Sequence, residues 1–60
     1  MYLVIRNDGA LVANMRKSKT GSSYTRDIRQ AEHYTTRKQA QRDCCVENER
    51  VISLAEWLEQ

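Results

Sequence analysis

A small α+β fold, in which two or three short helices cover a small antiparallel sheet, is predicted by three features of this 60-residue chain. The first is a hairpin signal, in which two apolar segments flank the turn sequence Asn7-Asp8-Gly9. The second is a pair of capping-box sequences, each of which marks the start of a short helix. The third is a Val-Ile pair between those helices, which is typical of a short third strand.

The hairpin is predicted from two strands with different patterns. Tyr2–Arg6 is apolar at consecutive positions, so the pattern leaves open which of its faces is buried. Leu11–Met15 has the length and composition of the returning strand. An isolated two-stranded hairpin is only marginally stable in water, and we therefore expect the helices to cover one face of the sheet.

A loop and a first short helix are predicted next. Residues 16–23 are basic, then polar, without a large apolar side chain, which is typical of a mobile loop. A helix of about two turns would begin at Tyr24 or Thr25, with Thr25 as a possible N-cap. Ile28 and Ala31, three residues apart, would lie on its buried side.

A second helix is predicted from about residue 37 to 45. Thr36 and Gln39 have the spacing of a capping box, in which each side chain satisfies a backbone N–H of the first turn. Ala40 and Cys44, four residues apart, would form the inner side of this helix.

The C-terminal part of the chain predicts a strand and a last helix. Residues 50–53 contain the β-branched pair of a third strand. Ser53 and Glu56 form the second capping box, which starts the terminal helix. We expect the apolar side of that helix to consist of Leu54, Trp57 and Leu58.

The predicted core is small because apolar residues make up 40% of the chain and Phe is absent. We interpret residues 1–60 as one domain without a linker, too small to enclose a pocket for a sizeable substrate. The predicted core residues are Leu3, Ile5, Leu11, Ala13, Ile28, Ala31, Tyr34, Ala40, Cys44, Val51 and Leu54.

Catalytic and metal-binding residues are not expected. Cys44 and Cys45 are neighbours, so a disulfide between them would close a strained ring, and we expect one to pack inside and the other to lie near the surface. His33 is the single imidazole, too few ligands for a closed zinc site. Asp27 and Glu32 lie near His33 in sequence without an acid-base or nucleophilic motif. We therefore expect no enzyme activity, no metal and no cofactor.

The middle of the chain also carries a family resemblance. Residues 24–43 read Tyr-Thr-x-Asp-Ile-x-x-Ala, then an aromatic residue, then Thr and a helix with Ala near its middle. With the hairpin before it and the Val-Ile strand after it, this pattern resembles small accessory, early-region proteins of lambdoid phages and enterobacterial prophages over most of residues 2–53. The resemblance implies a dispensable gene that adjusts the bacterial host or counters its defences, and it transfers no binding or catalytic residue to this chain.

The sequence predicts neither a signal peptide nor a membrane span. The apolar run near the N-terminus is too short for a signal-peptide core, and the basic residue Arg6 follows that run instead of preceding it. No stretch approaches the roughly 18 to 20 apolar residues that cross a bilayer. We expect a cytoplasmic protein of the bacterial host cell that does not act at a membrane.

Charge is distributed unevenly along the chain. Residues 16–42 contain eight basic and two acidic residues, a net charge of +6, whereas residues 43–60 contain one basic and five acidic residues, a net charge of −4. The basic segment, with Tyr24 and Tyr34 between its charges, could bind phosphates and stack bases, or could simply cover the core with its methylene stems. The candidate nucleic-acid-binding residues are Arg16, Lys17, Lys19, Arg26, Arg29, Arg37, Lys38 and Arg42.

Binding to a protein is the function that the sequence favours. Trp57 and Leu58 are the candidate protein-interaction residues, with Trp57 serving either as a lid on the core or as an exposed anchor. The hairpin would also offer a strand edge that could take a partner strand or a second copy, so the chain would be a monomer or a homodimer. We interpret the protein as a non-enzymatic accessory protein that binds a host or phage protein, with nucleic-acid binding as the alternative.

Overall fold

The computed structural model describes residues 1–14 and 23–59 and shows a small α+β fold. Its elements in chain order are β1 (Tyr2–Arg6), β2 (Leu11–Val12), β3 (Tyr24–Thr25), a 3-10 helix (Ile28–Gln30), α1 (Arg37–Asp43), β4 (Glu49–Ser53) and α2 (Leu54–Leu58). The four strands form one antiparallel sheet in the order β3-β2-β1-β4. Within the described ranges, no helix is long and apolar enough to cross a membrane.

The predicted hairpin is present, with a shorter second strand than expected. Gly9 adopts a positive φ of 94°, which the turn requires and which glycine alone adopts without strain. Asp8 Oδ1 accepts a hydrogen bond from the backbone N–H of Ala10 at 3.0 Å and fixes the turn. β2 ends at Val12, and the chain continues through an isolated bridge between Ala13 and Ala31. The predicted end of this strand at Met15 and all but the last residue of the predicted loop 16–23 lie outside the described residues.

The prediction of a helix that begins at Tyr24 or Thr25 is wrong. These two residues form β3, in which Tyr24 pairs with Val12 of β2, and a single 3-10 turn follows. Thr25 Oγ1 accepts from the N–H of Asp27, and Asp27 in turn caps the 3-10 helix by accepting from the N–H of Arg29 at 2.9 Å. Pairing with a strand distant in sequence therefore overrides the local helix-start signal.

The two capping boxes start the helices at the predicted residues. Thr36 Oγ1 accepts from the N–H of Gln39 at 3.2 Å, and Ser53 Oγ accepts from the N–H of Glu56 at 3.1 Å. α1 ends at Asp43, two residues before its predicted end. Both helices are short, so tertiary packing must hold them.

β1 lies in the middle of the sheet, which corrects the expectation that the hairpin would offer an exposed edge. β4 pairs with all five residues of β1, and β2 pairs with β3 on its other side. Both outer sides of the hairpin are therefore covered by other strands. The outer edge opposite β3 belongs to β4.

Both faces of the sheet are covered, and the prediction of one covered face is wrong. Leu3 pairs with Ile52 and Val4 with Val51, and successive residues of a strand point to opposite faces. The first cluster contains Leu3, Ile5, Leu11, Ala31 and Ile52, with Ile28, Leu54 and Trp57 packed against it. The second cluster contains Val4, Tyr34 and Ala40, with Tyr2, Val12, Cys44 and Val51 packed against it. The apolar run in β1 is thus the pattern of a strand buried on both sides.

The predicted core differs from the observed one on both faces of the sheet. The predicted core residues that are only partly buried are Ile28, Cys44, Val51 and Leu54. The buried apolar residues that were not predicted are Val4, Ala10 and Ile52. Glu49 is also buried, at 8% exposure, although a carboxylate is an unusual core residue.

Candidate interaction site

α2 presents the predicted protein-interaction residues differently from the sequence expectation. Leu54 and Trp57 pack against the first cluster, whereas Leu58 is 66% exposed. The three residues therefore do not share one buried side. Trp57 is half-buried, so it covers the core and remains partly exposed.

The sequence around Leu58 is acidic, and α2 begins beside the start of the chain. Met1 is 57% exposed and its carbonyl accepts from the N–H of Leu54 at 2.9 Å, which places the start of the chain beside the start of α2. Glu56 and Glu59 are exposed, and residues 54–59 contain no basic residue. We call Leu58, the exposed part of Trp57 and the adjacent Glu59 the α2 surface. Glu56 lies on another side of the helix, where its carboxylate accepts from Ser53 Oγ at 3.0 Å.

The predicted basic residues do not form one continuous stripe within the described ranges. The 3-10 helix packs through Ile28 on the first cluster, whereas α1 packs through Ala40 on the second cluster, on the opposite face of the sheet. Arg29 therefore lies on the other side of the sheet from the basic residues of α1. Arg16, Lys17 and Lys19 lie outside the described residues.

Arg26 and Arg29 already have acidic partners. The Arg26 guanidinium lies 3.9 Å from the carboxylate of Asp8 and donates to the Asp8 carbonyl at 3.2 Å. Arg29 forms a two-point ion pair with Asp27, with contacts of 3.1 Å and 3.0 Å. Binding a phosphate at either arginine would require competition with these carboxylates.

α1 carries the remaining basic residues as a band on its exposed side. Arg37, Lys38 and Arg42 are exposed, and none of the ion pairs within residues 1–14 and 23–59 includes them. The Arg37 guanidinium lies 5.0 Å from the centre of the Tyr2 ring, so its side chain also covers part of the second cluster. Lys38 and Arg42, one helical turn apart, are the members of the band most open to a phosphate.

Tyr24 belongs to a polar network that sequence reasoning missed. Its hydroxyl donates to the buried carboxylate of Glu49, whose other oxygen accepts from the N–H of Cys45 at 2.8 Å. The Arg6 guanidinium lies 4.1 Å from the centre of the Tyr24 ring. The hydrogen bond to Glu49, followed by burial, raises the pKa of the Tyr24 phenol. This network ties β3 to β4 across two intervening strands.

Tyr34 is also committed to the fold. It is 7% exposed, and its hydroxyl donates to Asp43 Oδ2 at 2.7 Å. Burial, reinforced by this bond, raises the pKa of its phenol. Because Tyr24 and Tyr34 both have structural roles, they do not offer free rings on which nucleic-acid bases could stack.

Both cysteines are free thiols: Cys44 is only half-buried against the second cluster, less than predicted, and Cys45 is exposed as predicted. Burial, with the nearby charge of Glu49, raises the pKa of the Cys44 thiol. His33 Nε2 lies 3.0 Å from the carbonyl of Ile28, which can only accept a hydrogen bond. In the described part of the chain, no group of three His, Cys, Asp or Glu residues could hold a metal ion.

A groove runs along β4 beside α1. It has a volume of about 460 Å³, and its apolar lining comes from Cys44, Val46 and Val51. Val46 is 87% exposed, the most exposed large apolar residue in the described ranges. No sequence signal predicted this groove, because it depends on β4 lying at the edge of the sheet.

Comparison with known proteins gives no match, since no protein-family model, no curated protein and no solved structure is significantly similar to this chain. The candidate surfaces are therefore defined by the geometry and chemistry of this chain's own residues.

Proposed function

We propose that this protein is a non-enzymatic accessory protein that binds a partner protein through the α2 surface. The observation that supports this function is the exposed Leu58 next to Trp57, whose indole is held against the first cluster. An aromatic side chain that is already fixed by the core loses little conformational freedom on binding, and such residues dominate interface energetics.

The charges on α2 specify the chemistry of the partner. Glu59 is adjacent to Leu58, and no basic residue lies between positions 54 and 59. A complementary partner surface has an apolar pocket for Leu58 and Trp57, surrounded by basic residues. Complementary charges at the rim of an interface increase the association rate and exclude wrong partners.

The setting of this function follows from the sequence resemblance. The pattern in residues 24–43 resembles that of small phage and prophage accessory proteins, which supports a host or phage protein in the bacterial cytoplasm as the partner. An accessory protein of this size can act by occupying a surface of its target.

Photo-crosslinking from position 58 tests this proposal. A photoreactive amino acid replaces Leu58 in the full chain, expressed in the bacterial host, and the crosslinked protein is identified and purified. Leu58→Glu should then weaken its binding about tenfold or more, because it places a charge in the apolar contact. The expected readout is the Kd measured by calorimetry, with circular dichroism to show that the fold is retained.

The double variant Lys38→Glu with Arg42→Glu is the matched control. It changes exposed residues of α1 on the opposite face of the sheet and should leave the Kd for the partner protein unchanged. An unchanged Kd for Leu58→Glu, or an equal loss in the α1 double variant, would reject the α2 surface as the binding site.

Nucleic-acid binding through α1 is the second candidate function. It is favoured by one observation, the exposed band of Arg37, Lys38 and Arg42 without an acidic partner among the described residues. If all three contacted duplex DNA, affinity would fall about 40-fold between roughly 50 and 200 mM salt. The same two variants separate the candidates, since here the α1 double variant should lose binding and Leu58→Glu should retain it.

A further inference from the structure

Among the described residues, β4 has a sheet neighbour on one side only, and the register defines which of its backbone groups point outward. The N–H of Asn7 donates to the carbonyl of Asn48 at 2.9 Å, one position beyond the end of the β1–β4 pairing. Hydrogen-bonded and non-hydrogen-bonded pairs alternate in an antiparallel ladder. Arg50 and Ile52 therefore bond to β1. The residues that direct both backbone groups away from β1 are Glu49, Val51 and Ser53.

Four of these six outward groups have no hydrogen-bond partner within residues 1–14 and 23–59. They are the N–H and C=O of Val51, the N–H of Ser53 and the C=O of Glu49. The other two groups are satisfied inside the chain. The N–H of Glu49 donates to the carbonyl of Cys45 at 2.7 Å, and the carbonyl of Ser53, as N-cap, accepts the first bond of α2.

We propose that a second copy of this chain adds to β4 as an antiparallel strand, with a two-fold axis at Val51. In this register the two Val51 residues exchange both backbone bonds, and Ser53 N–H of each copy donates to Glu49 C=O of the other. Every unpaired group gains a partner. The two groups that are already satisfied, the N–H of Glu49 and the carbonyl of Ser53, face each other across the pair, so the strands must separate there to leave room for the Cys45 carbonyl and the first turn of α2. The two four-stranded sheets become one continuous sheet.

The unpaired backbone donors and acceptors of β4 are self-complementary, and for this reason they fit a second copy of the same chain. The edge offers two donors and two acceptors, arranged so that a two-fold rotation about Val51 places each donor on an acceptor. Shifting the register by two residues in either direction leaves some of these groups opposite ones that are already bonded. Symmetric pairing through one strand edge is also a direct way for a small chain to bury additional surface.

Side chains on the α1 side of the sheet support the same arrangement. Val51 points to this face, and the two Val51 side chains would lie directly opposite each other across the axis. Each would lie beside the groove that Cys44 and Val46 line along β4. The second copy would thus cover apolar surface that the edge leaves open in a single chain.

Arg50 gives this dimer a characteristic salt dependence. It lies on the opposite face, is exposed, and in the proposed register would be diagonal to Arg50 of the second copy, with about 7–8 Å between the backbones. Like charges at this distance repel, and added salt screens the repulsion. Dimerisation should therefore strengthen with salt, the opposite of phosphate binding.

Two measurements test the dimer: the molecular mass in solution and the rate of amide hydrogen exchange. Analytical ultracentrifugation of the full chain over a wide concentration range should show a monomer–dimer equilibrium. Hydrogen exchange followed by NMR at high and low concentration should show that the amides of Val51 and Ser53 are protected only where the dimer is populated. The amides of Arg50 and Ile52, bonded to β1 in each chain, should be protected at both concentrations.

Val51→Pro removes the central donor, and proline is tolerated at an edge-strand position whose N–H faces outward. We expect it to raise the dimer Kd about tenfold or more, because two symmetric bonds are lost. Val51→Thr, which keeps both the N–H and the β-branched shape, is the matched control and should remain a dimer.

A chain that stays monomeric at NMR concentrations would overturn the proposal. So would a dimer in which the amides of Val51 and Ser53 exchange freely, since it would use another surface. The exchange measurement uses the unmodified chain, so it decides the matter even if Val51→Pro fails to fold.

Discussion

On one face of the sheet Leu3 and Ile52 are held by apolar contact alone, whereas on the other face Tyr34 and Tyr24 are tied by hydrogen bonds to Asp43 and Glu49. The first cluster is covered by short elements, the 3-10 helix and α2. The second cluster is covered by α1, the longest helix of the described chain. The stability of the first face therefore depends on packing, and that of the second depends also on the protonation of its polar groups.

Leu3→Ala should produce the largest effect. Leu3 is fully buried in the first cluster, and a Leu→Ala change at such a site costs about 2–5 kcal/mol. A domain of this size has a free energy of unfolding of roughly 3–9 kcal/mol, so the variant should lose much of its stability. Urea denaturation followed by circular dichroism measures the change. Leu58→Ala, at an exposed leucine, should stay within about 0.5 kcal/mol of the wild type, and a similar loss in both variants would contradict the packing assignment.

Tyr34→Phe should have a smaller effect that depends on pH. Losing the bond to Asp43 should cost about 1 kcal/mol at neutral pH. Burial, with the bond to Asp43, raises the pKa of Tyr34, so the folded chain keeps this phenol neutral where the unfolded chain, with tyrosine pKa values near 10, ionises it. The contribution is complete below pH of about 10 and is lost as pH rises towards the folded pKa.

Urea denaturation at neutral and alkaline pH tests whether the free energy of unfolding falls as the pH rises. The wild type should lose unfolding free energy above pH of about 10, and Tyr34→Phe should lose less of it over the same range. Equal alkaline losses in the two proteins would show that Tyr34 does not link folding to pH.

The smallest expected effect is a difference in reactivity between the two cysteines, Cys44 at the edge of the second cluster and the exposed Cys45. Cys44 is half-buried and its thiol pKa is raised by burial, so less of it is thiolate, whereas Cys45 is exposed. Alkylation at mildly alkaline pH, followed by mass spectrometry of the folded chain, should modify Cys45 first. The same experiment in urea is the control, because the contrast should largely disappear on unfolding. Equal alkylation rates of Cys44 and Cys45 in the folded chain would mean that α1 does not shield Cys44 from the reagent.

The sequence predicts best those features that depend on neighbouring residues. The turn at Asp8-Gly9 and the caps at Thr36 and Ser53 form within a few residues of chain, so their signals are local and the structure confirms them. β3 was missed because a two-residue strand is specified by its partner β2. Its Tyr-Thr sequence is equally consistent with the start of a helix.

The central position of β1 was not predictable from local patterns. The run of apolar residues in β1 fits a strand buried on both faces, but the second cover depends on where α1 and β4 pack. Glu49 carried no sequence sign of burial, since its partners Tyr24 and Cys45 meet it only in the folded sheet. For the same reason, the candidate residue Leu58 was predicted as part of a surface, but its separation from the packed side of Leu54 and Trp57 was not.

The position of β1 in the sheet also determines the order in which the chain can fold during synthesis. β1 and β2 are close in sequence and can form their hairpin early, whereas Leu3 meets Ile52 only after nearly all the described chain has been made. Until then one side of an apolar strand remains without a partner, a state that exposes nascent chains to aggregation. Contacts between such distant residues slow folding, so this chain should fold slowly for its size.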